Sequence, residues 1–186
     1  MIEAHKKSEA SVSPYITNIF VSPKPKNQIW LLGKPFGMAT LAKELGLGKE
    51  VIDRGFIMPG DGEFDYVEES LGNSLGVAIG CAFAQPSKDI ICFISDAQLR
   101  QGQILESIAF IGEYPEKFKN LSLHIDYNLK GSRGDLPHFN FSVFSGWQVF
   151  FCNPEIDWGI DGGFGDESFC PKVYVWESYK IFKQGE

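Results

Sequence analysis

Short apolar runs alternate with helical patterns along most of the chain. The clearest run, "DIICFIS" at residues 89–95, is almost continuously apolar and leads directly into a helical pattern at residues 98–114. Further strand-like runs are predicted at residues 121–127, 147–152 and 171–178. Nearly continuous apolar strands are typical of a parallel sheet that is covered on both faces. Strands that alternate with helices then predict a three-layer α/β/α sandwich with a mainly parallel sheet.

The rest of the chain is organised around these strands. Residues 1–27 are predicted to form an irregular amino-terminal segment, and residues 28–186 a single α/β domain. Near-helical spacing of apolar residues predicts a short helix over residues 34–45. The apolar, glycine-rich stretch at residues 71–85 predicts a buried helix, because its glycines let another backbone approach closely. A further short helix is predicted over residues 139–146.

Composition narrows the classes of function. The 186 residues include 17 basic and 24 acidic ones, for a net charge of -7, so neither nucleic acid nor an anionic membrane is an expected partner. No apolar run approaches the roughly 20 residues of a membrane-spanning helix, and the amino terminus lacks the apolar stretch of a signal peptide. We therefore expect a soluble, cytoplasmic protein whose four scattered cysteines are reduced.

Two polar residues stand where consecutive predicted strands end. Asp96 follows the strand at residues 89–95, and Asn128 follows the strand at residues 121–127. In a parallel sheet both positions lie at the edge formed by the carboxyl ends of the strands, where α/β proteins bind ligands. A carboxylate and an amide oxygen together suit Mg²⁺ or Ca²⁺. Alternatively, Asp96 caps the helix that follows it, as aspartate often does.

Four segments, taken in order, resemble a known family: "ESLGNSLGVAIGCAFA", "ISDAQLRQGQILES", "NLSLHIDYNLKG" and "SGWQVFF". They are similar to consecutive segments of the amino-terminal, diphosphate-binding domain of transketolases. The likeness is strongest to the split bacterial type, whose amino-terminal half is a separate subunit, and it extends to deoxyxylulose-phosphate synthases. It covers about residues 28–186 and implies a truncated thiamine diphosphate-binding fold.

The resemblance implies a cofactor and a metal ion. These enzymes use thiamine diphosphate, whose diphosphate group is held through a divalent cation, here expected to be magnesium. At the matching positions, Asp96 and Asn128 would be metal ligands, and the main-chain carbonyl of Lys130 would be the third. The separation of 32 residues between Asp96 and Asn128 agrees with the family pattern.

The resemblance also implies cofactor contacts in two further segments. Ser95 and Ala97 take the places of two family glycines, which allow the backbone to approach the diphosphate closely. The family segment that contacts the aminopyrimidine is matched by Ser70, Leu71 and Gly72. We therefore expect these five residues to lie at the cofactor site.

Several departures from the family bear on activity. Phe36 and Met58 occupy positions at which the family has histidines that handle the substrate, and Glu69 replaces a glycine of the aminopyrimidine segment. Of the two glutamates that the family places near its dimer axis, the first is Gln101 here and the second is kept as Glu106. The catalytic glutamate of these enzymes comes from a separate pyrimidine-binding domain, which no segment here resembles. The resemblance therefore implies that the chain alone does not activate the cofactor.

Two hypotheses about function stay open. The chain is either a transketolase-like component that supplies the diphosphate and metal half of a site, or a catalytically inactive relative that acts as a small-ligand-binding or protein-interaction module. The first hypothesis requires a partner subunit with the pyrimidine-binding domain for transfer of two-carbon ketol units. A homodimer is expected by analogy with the family.

Overall fold

The computed structural model describes residues 16–68, 71–131, 134–152 and 170–178. Its helices are α1 (Ile16–Ile19), α2 (Ala39–Glu44), α3 (Lys49–Arg54), α4 (Ser74–Ala84) and α5 (Gly102–Glu113). Its strands are β1 (Gln28–Leu32), β2 (Tyr66–Val67), β3 (Asp89–Ser95), β4 (Leu121–Asp126), β5 (Lys130–Gly131), β6 (Gly134–Asp135), β7 (Gln148–Cys152) and β8 (Lys172–Trp176). Short 3₁₀ turns lie at Gln98–Arg100, Pro115–Lys117 and Phe141–Val143.

A six-stranded sheet forms the centre of the described residues. Its strand order is β2-β1-β3-β4-β8-β7, and each neighbouring pair is parallel. β5 and β6 pair antiparallel with each other as a separate hairpin. The strands of the main sheet all end at one edge, which we call the carboxyl edge. The mainly parallel sheet predicted from the apolar runs is confirmed.

Helices cover both faces of this sheet. In β3, Ile90 and Cys92 belong to the core beneath α4 and α5, whereas Ile91 and Phe93 belong to the core beneath α1, α2 and α3. Successive side chains of a strand point to opposite faces, so a strand buried on both faces is apolar at nearly every position. The predicted three-layer α/β/α sandwich is confirmed.

The chain before β1 contributes to the second of these cores. Ile16 and Phe20 are each 1% exposed, and the Phe20 ring packs edge-on against Trp30 at 5.2 Å between centroids. The amino-terminal segment, predicted to be irregular, therefore contains a packed helical turn at residues 16–19. The domain boundary at residue 27 stays a prediction.

The helix predicted over residues 34–45 is shorter than expected. α2 begins only at Ala39, because the preceding residues pair with a later segment. Phe36 forms an antiparallel bridge with Phe56, and Gly37 has a φ of 72°, a left-handed value that interrupts a right-handed helix. Apolar spacing within one segment does not report a pairing with another segment.

Two other predicted helices are also shorter. In place of one helix over residues 98–114, a 3₁₀ turn at Gln98–Arg100 precedes α5, and Gln101 between them is extended with φ −79° and ψ 133°. The helix predicted over residues 139–146 is reduced to the 3₁₀ turn at Phe141–Val143. The aromatic residues of this segment, although spaced as in a helix, pack into the core beneath α4 and α5 from a backbone that is mostly irregular.

The prediction that residues 71–85 form a buried helix is wrong for one face. α4 buries Leu75, Ala78 and Ala82, but Phe83 is 57% exposed. A Cβ added at Gly76 or Gly80 would meet nothing within 4 Å, so no other described element uses the close approach that these glycines allow. The glycine face of α4 is therefore open surface in the isolated chain.

All four cysteines are free thiols, as expected. Cys92 and Cys152 are buried in strands, and burial raises the pKa of the Cys152 thiol to about 11. Among the described residues, no helix has both the length and the apolar character needed to cross a bilayer.

Candidate functional site

Buried polar groups concentrate at the carboxyl edge. Among the described residues, nine polar or charged side chains are buried, and seven of these lie at or just beyond the end of a strand of the main sheet. We call these seven the buried polar cluster. They are Lys34, Glu68, Asp96, Gln98, Asp126, Asn128 and Ser178. Burial of polar groups costs free energy unless they are paired, so their concentration at one edge indicates a functional site.

Asp96 is held at this edge by the chain that follows β4. Its amide N donates to the Asp126 carbonyl oxygen at 3.1 Å, which continues the pairing of β3 with β4. Its carboxylate Oδ2 accepts a hydrogen bond from the Leu129 amide N at 2.7 Å. Oδ1 of the same carboxylate is buried and has no hydrogen-bond partner among the described residues.

The alternative in which Asp96 caps the following helix is wrong. α5 begins at Gly102, and its N-cap residue, Gln101, makes no side-chain capping hydrogen bond. The intervening 3₁₀ turn has Ala97 as its N-cap, again without a side-chain hydrogen bond. The Asp96 side chain instead turns toward β4 and bonds the backbone after it. Its burial is therefore not explained by helix capping.

The Asp96 carboxyl group is difficult to ionise. Burial, and to a smaller extent the neighbouring Asp126 carboxylate, raise its pKa from 3.8 to about 7, although the Leu129 amide, Lys34 and the nearby Ala97 amide act in the opposite direction. An added cation would stabilise the ionised form of this carboxyl group more than that of a solvated one. The reason is that the cation offsets both the lost hydration and the repulsion from Asp126.

Asp126, on the adjacent strand, is in contrast fully engaged. Its Oδ2 pairs with the Lys34 ammonium group and accepts from Asn128 Nδ2 at 2.9 Å. Its Oδ1 accepts from Ser178 Oγ at 2.5 Å. Three donors from different segments therefore surround Asp126, whereas Asp96 beside it keeps one oxygen free.

The three predicted metal ligands lie in segments that meet. Asn128 Oδ1 accepts from the Lys130 amide N at 2.8 Å, which folds residues 128–130 into a tight turn, and Leu129 within it has a φ of 58°. The hydrogen bond from Leu129 to Asp96 then joins this turn to the end of β3. The structure thus brings Asp96 and Asn128 to the carboxyl edge, as the strand pattern predicts, and Lys130, which the resemblance implies as the third ligand, lies in the same turn.

The oxygen atoms of these three residues are of the chemical type that Mg²⁺ binds. Among the described residues, no cluster of three or more His, Cys, Asp or Glu side chains is placed to hold a metal. The implied set is of another kind, with one carboxylate, one amide oxygen and one main-chain carbonyl, and Mg²⁺ prefers such oxygen ligands. The unpartnered Oδ1 of Asp96 is the group in the cluster that a cation would complete.

The predicted cofactor segments also adjoin this edge. Gly72 adopts a φ of +102°, and a Cβ there would lie 3.2 Å from Cβ of Gln101, so the turn packs against the start of α5. Leu71 before it is 63% exposed. Ser95 and Ala97, on either side of Asp96, are half-buried. Ser70 and Glu69 lie outside the described residues.

Of the buried polar cluster, sequence reasoning names only Asp96 and Asn128 as site residues, and Glu68 and Gln98 are two of the members that it missed. Glu68 is 3% exposed, although it lies in an acidic stretch that resembles a solvated loop. Gln98 is fully buried and bonds three separate segments, although it reads as an ordinary polar position of a helix. The sequence feature that could have indicated Gln98 is its position three residues after the end of a strand, and that feature is weakly specific.

The surface beside the cluster is apolar. Phe36, two residues after Lys34, is 51% exposed, and Met58 is 45% exposed.

His124 in β4 does not supply a base, since it stacks on Tyr174 at 4.7 Å between centroids and its Nδ1 accepts from the Trp176 indole N–H at 3.2 Å. Burial lowers the pKa of His124 to about 3, which agrees with the structural role of a neutral imidazole.

Comparisons with known proteins address the fold. No protein-family model matches the chain. A 1-deoxy-D-xylulose-5-phosphate synthase from Fusobacterium nucleatum subsp. nucleatum is 30% identical over 74 residues, which are 39% of this chain and 12% of that protein. The transketolase of Campylobacter jejuni subsp. jejuni superposes with a TM-score of 0.55 at 14% identity, over 94% of this chain and 38% of the other. The chain has a transketolase-type α/β fold.

The fold expected from the four sequence segments is thereby confirmed. The superposition covers nearly the whole chain, whereas the sequence match covers less than half of it. The chain spans 38% of the length of the transketolase and 12% of that of the synthase. Those activities belong to much longer proteins, so for this chain any activity must be argued from its own site.

Proposed function

We propose that this chain forms the diphosphate- and metal-binding half of a thiamine diphosphate site, which a partner with a pyrimidine-binding domain completes. The observation that carries this proposal is the Oδ1 atom of Asp96, a buried carboxylate oxygen without a hydrogen-bond partner among the described residues. Leaving such an acceptor unpaired costs about 1–3 kcal/mol, and a bound cation would offset that cost. The position is supported by the tendency of α/β sheets to bind ligands beyond the carboxyl ends of their strands.

The metal would be held by Asp96, Asn128 and the main-chain carbonyl of Lys130. Magnesium at such a site usually completes its coordination with water and phosphate oxygens. The cofactor, when bound, would supply carbanion stabilisation. The chain's own residues orient the ligands: the Leu129 amide fixes Oδ2 of Asp96, and the Lys130 amide fixes Oδ1 of Asn128.

The remaining cofactor contacts are assigned to neighbouring segments. The backbone at Ser95 and Ala97 would face the diphosphate, and the turn at Leu71 and Gly72 would face the aminopyrimidine. Lys34 supports this arrangement because its ammonium group neutralises Asp126 within the cluster. Two adjacent buried carboxylates with no cation nearby would repel each other.

A second copy of this chain, distinct from the partner that carries the pyrimidine-binding domain, would contact the exposed face of α4 and α5. Phe83 on α4 and Phe110 on α5 are 57% and 43% exposed. A concave cavity of about 370 Å³ between the two helices is lined in part by Gly72, Gly76 and Glu106, so this face adjoins the proposed aminopyrimidine segment. Exposed apolar groups around a concave surface are typical of interaction sites. We propose a second copy of this chain as the partner on that face.

One observation favours the second function, an inactive module that binds a small ligand or a protein. Phe36 and Met58 are exposed apolar residues at positions that correspond to substrate-handling histidines in the resembling family. Neither side chain can transfer a proton. Under this alternative, the fold and the cluster would be kept without ketol transfer.

Calorimetric titration with thiamine diphosphate, with and without Mg²⁺, tests the first function. We expect binding that requires Mg²⁺ and that Asp96→Asn weakens by more than about 100-fold, because the variant lacks the charged ligand. The matched control is Asp89→Asn, at the exposed opposite end of β3, which should bind as the wild type does. Absence of heat at millimolar cofactor, or equal binding by both variants, would contradict the proposal.

A further inference from the structure

Gln98 connects the ends of three strand segments through one amide group. Its Oε1 accepts from the Ser95 amide N at 2.9 Å. Its Nε2 donates to the Gly33 carbonyl oxygen at 2.6 Å and to Glu68 Oε2 at 2.9 Å. Both N–H donors of the side chain are therefore used, and the amide can adopt only this orientation, because its oxygen must face the Ser95 donor.

Glu68 extends the connection to the start of α4. The residue follows β2 directly and is 3% exposed. Its Oε1 accepts from the Asn73 amide N at 2.5 Å, and its Oε2 accepts from Gln98. The carboxyl group thus fixes the backbone just after the Gly72 turn relative to Gln98.

Two of the segments joined in this way are assigned to the cofactor, and the third carries Lys34, the partner of Asp126 in the buried polar cluster. Gly33 precedes Lys34, Ser95 precedes Asp96, and Asn73 follows Gly72. A site that grips a diphosphate, a metal and a ring from separate loops needs those loops held at fixed spacing by buried supporting residues. Gln98 and Glu68 are the buried side chains that bond all three loops.

We propose that Gln98 and Glu68 are positioning residues, which set the spacing between the Lys34 loop, the Gly72 turn and Asp96. The inference rests on the proposed thiamine diphosphate function, because positioning has meaning only for a ligand that these loops share. Neither residue need touch the ligand. Their contribution is to keep the loops aligned before binding, which lowers the cost of assembling the site.

The test uses the full chain and the nearly isosteric variant Gln98→Met. Its first measurement is amide hydrogen exchange without cofactor, in which exchange should rise on the order of fivefold at Ser95 and increase in the segments around residues 34 and 73. Its second is the affinity for thiamine diphosphate with Mg²⁺, which should fall about 10- to 100-fold under conditions where circular dichroism shows the variant folded.

The matched control is Gln148→Met. Gln148 is also a buried glutamine, 2% exposed, but it begins β7 at the opposite edge of the sheet. This variant controls for the loss of a buried amide and should change neither the exchange at Ser95 nor the affinity. The companion variant Glu68→Gln should loosen the Gly72 turn while leaving the Ser95 amide protected, because Gln98 still accepts from it.

The outcomes separate this inference from the function on which it rests. Wild-type protein that binds no cofactor contradicts both. Wild-type protein that binds, with Gln98→Met raising exchange but leaving affinity unchanged, overturns the positioning role and leaves the proposed function standing. Unchanged exchange at Ser95 in Gln98→Met also overturns the positioning role. Only a joint rise in exchange and loss of affinity supports it.

Discussion

Two carboxyl groups on adjacent strands differ only in their surroundings, and that difference separates their roles. Asp126 is surrounded by Lys34, Asn128 and Ser178, so a further ligand would have to displace an existing bond. Asp96 accepts one backbone hydrogen bond and keeps a buried oxygen free. Asp96 is therefore the residue at which the proposed cation would bind, and Asp126 is held by the side chains around it.

The raised pKa of Asp96 makes a prediction about stability. The folded protein holds the proton up to about pH 7, whereas the unfolded chain releases it near 3.8, so the folded state binds more protons between these values. The contribution of Asp96 to the free energy of unfolding therefore falls as the pH rises through this interval. Asp96→Asn removes the titration and keeps an oxygen for the Leu129 amide. Relative to the wild type, it should gain up to about 4 kcal/mol between about pH 4 and pH 8, measured by urea unfolding.

Asp89→Asn is the control for this measurement, since Asp89 is exposed at the other end of the same strand. Its pH profile should follow that of the wild type. Added Mg²⁺ should stabilise the wild type at neutral pH and have little effect on Asp96→Asn, because the variant lacks the one charged ligand of the proposed site. A constant difference between Asp96→Asn and the wild type across this pH range would contradict the buried, unpaired state of this carboxyl group.

At the scale of elements, α5 is fixed against the turn before β7 by two glycines in close contact. A Cβ at Gly112 would overlap the Ser145 carbonyl oxygen, and a Cβ at Gly146, whose φ is +81°, would lie 2.9 Å from Gly112 Cα. Trp147 next to this contact donates its indole N–H to the Ile108 carbonyl oxygen at 3.1 Å. The absence of side chains at both glycines is what allows α5 to approach the backbone of this turn.

Gly112→Ala should therefore destabilise the protein by about 1–3 kcal/mol, because backbone atoms must move to admit the methyl group. Gly102→Ala is the matched control in the same helix, where a Cβ would meet nothing within 4 Å. That variant should be neutral or stabilising by up to about 1 kcal/mol, since alanine favours helix more than glycine does. Chemical unfolding of both variants measures the difference, and equal effects would show that this contact is not close in solution.

Four of the six strands of the main sheet, β3, β4, β7 and β8, were predicted from sequence, whereas β1, β2 and the helix ends were not. The continuous apolar run of β3 predicts that the strand is buried on both faces. Its predicted and observed bounds, Asp89–Ser95, coincide. The helix predicted from residue 34 failed because a bridge between Phe36 and Phe56 competes with it. Local spacing measures local preference, and that preference is overridden when a distant segment offers its own hydrogen bonds.

The site was also predictable only in part: its residues at strand ends could be found from the sequence, and its supporting residue Gln98 could not. Placing Asp96 and Asn128 at one edge needs only the parallel order of β3 and β4, which their apolar character indicates. The role of Gln98 depends on its hydrogen bonds to Gly33, Ser95 and Glu68. No periodic pattern in the sequence indicates that these three residues lie close together. Candidate ligand-binding residues at strand ends can thus be identified from the sequence. The residues that position them can be identified only from the tertiary structure.

At the scale of the whole molecule, the described part of one helical layer leaves more of its outer face exposed than the other layer does. α1, α2 and α3 cover the second core, and Leu41 and Val51 are buried there. The layer of α4 and α5 buries its inner face but leaves Phe83 and Phe110 exposed, and Phe110 lines a cavity of about 370 Å³. Burial of such a face against another subunit would gain about 25 cal/mol for each Å² of apolar surface removed from water.

Sedimentation velocity tests the self-association proposed for this face. We expect the wild-type chain to sediment as a dimer at micromolar concentration, and Phe110→Glu to sediment as a monomer. In a two-fold interface each substitution occurs twice, and here it adds charge one turn from Glu106. Phe151→Glu is the control, because Phe151 is similarly exposed, at 40%, but lies on the edge strand β7. A monomeric wild type would contradict the proposed self-association, and equal dissociation of both variants would place the contact on another surface.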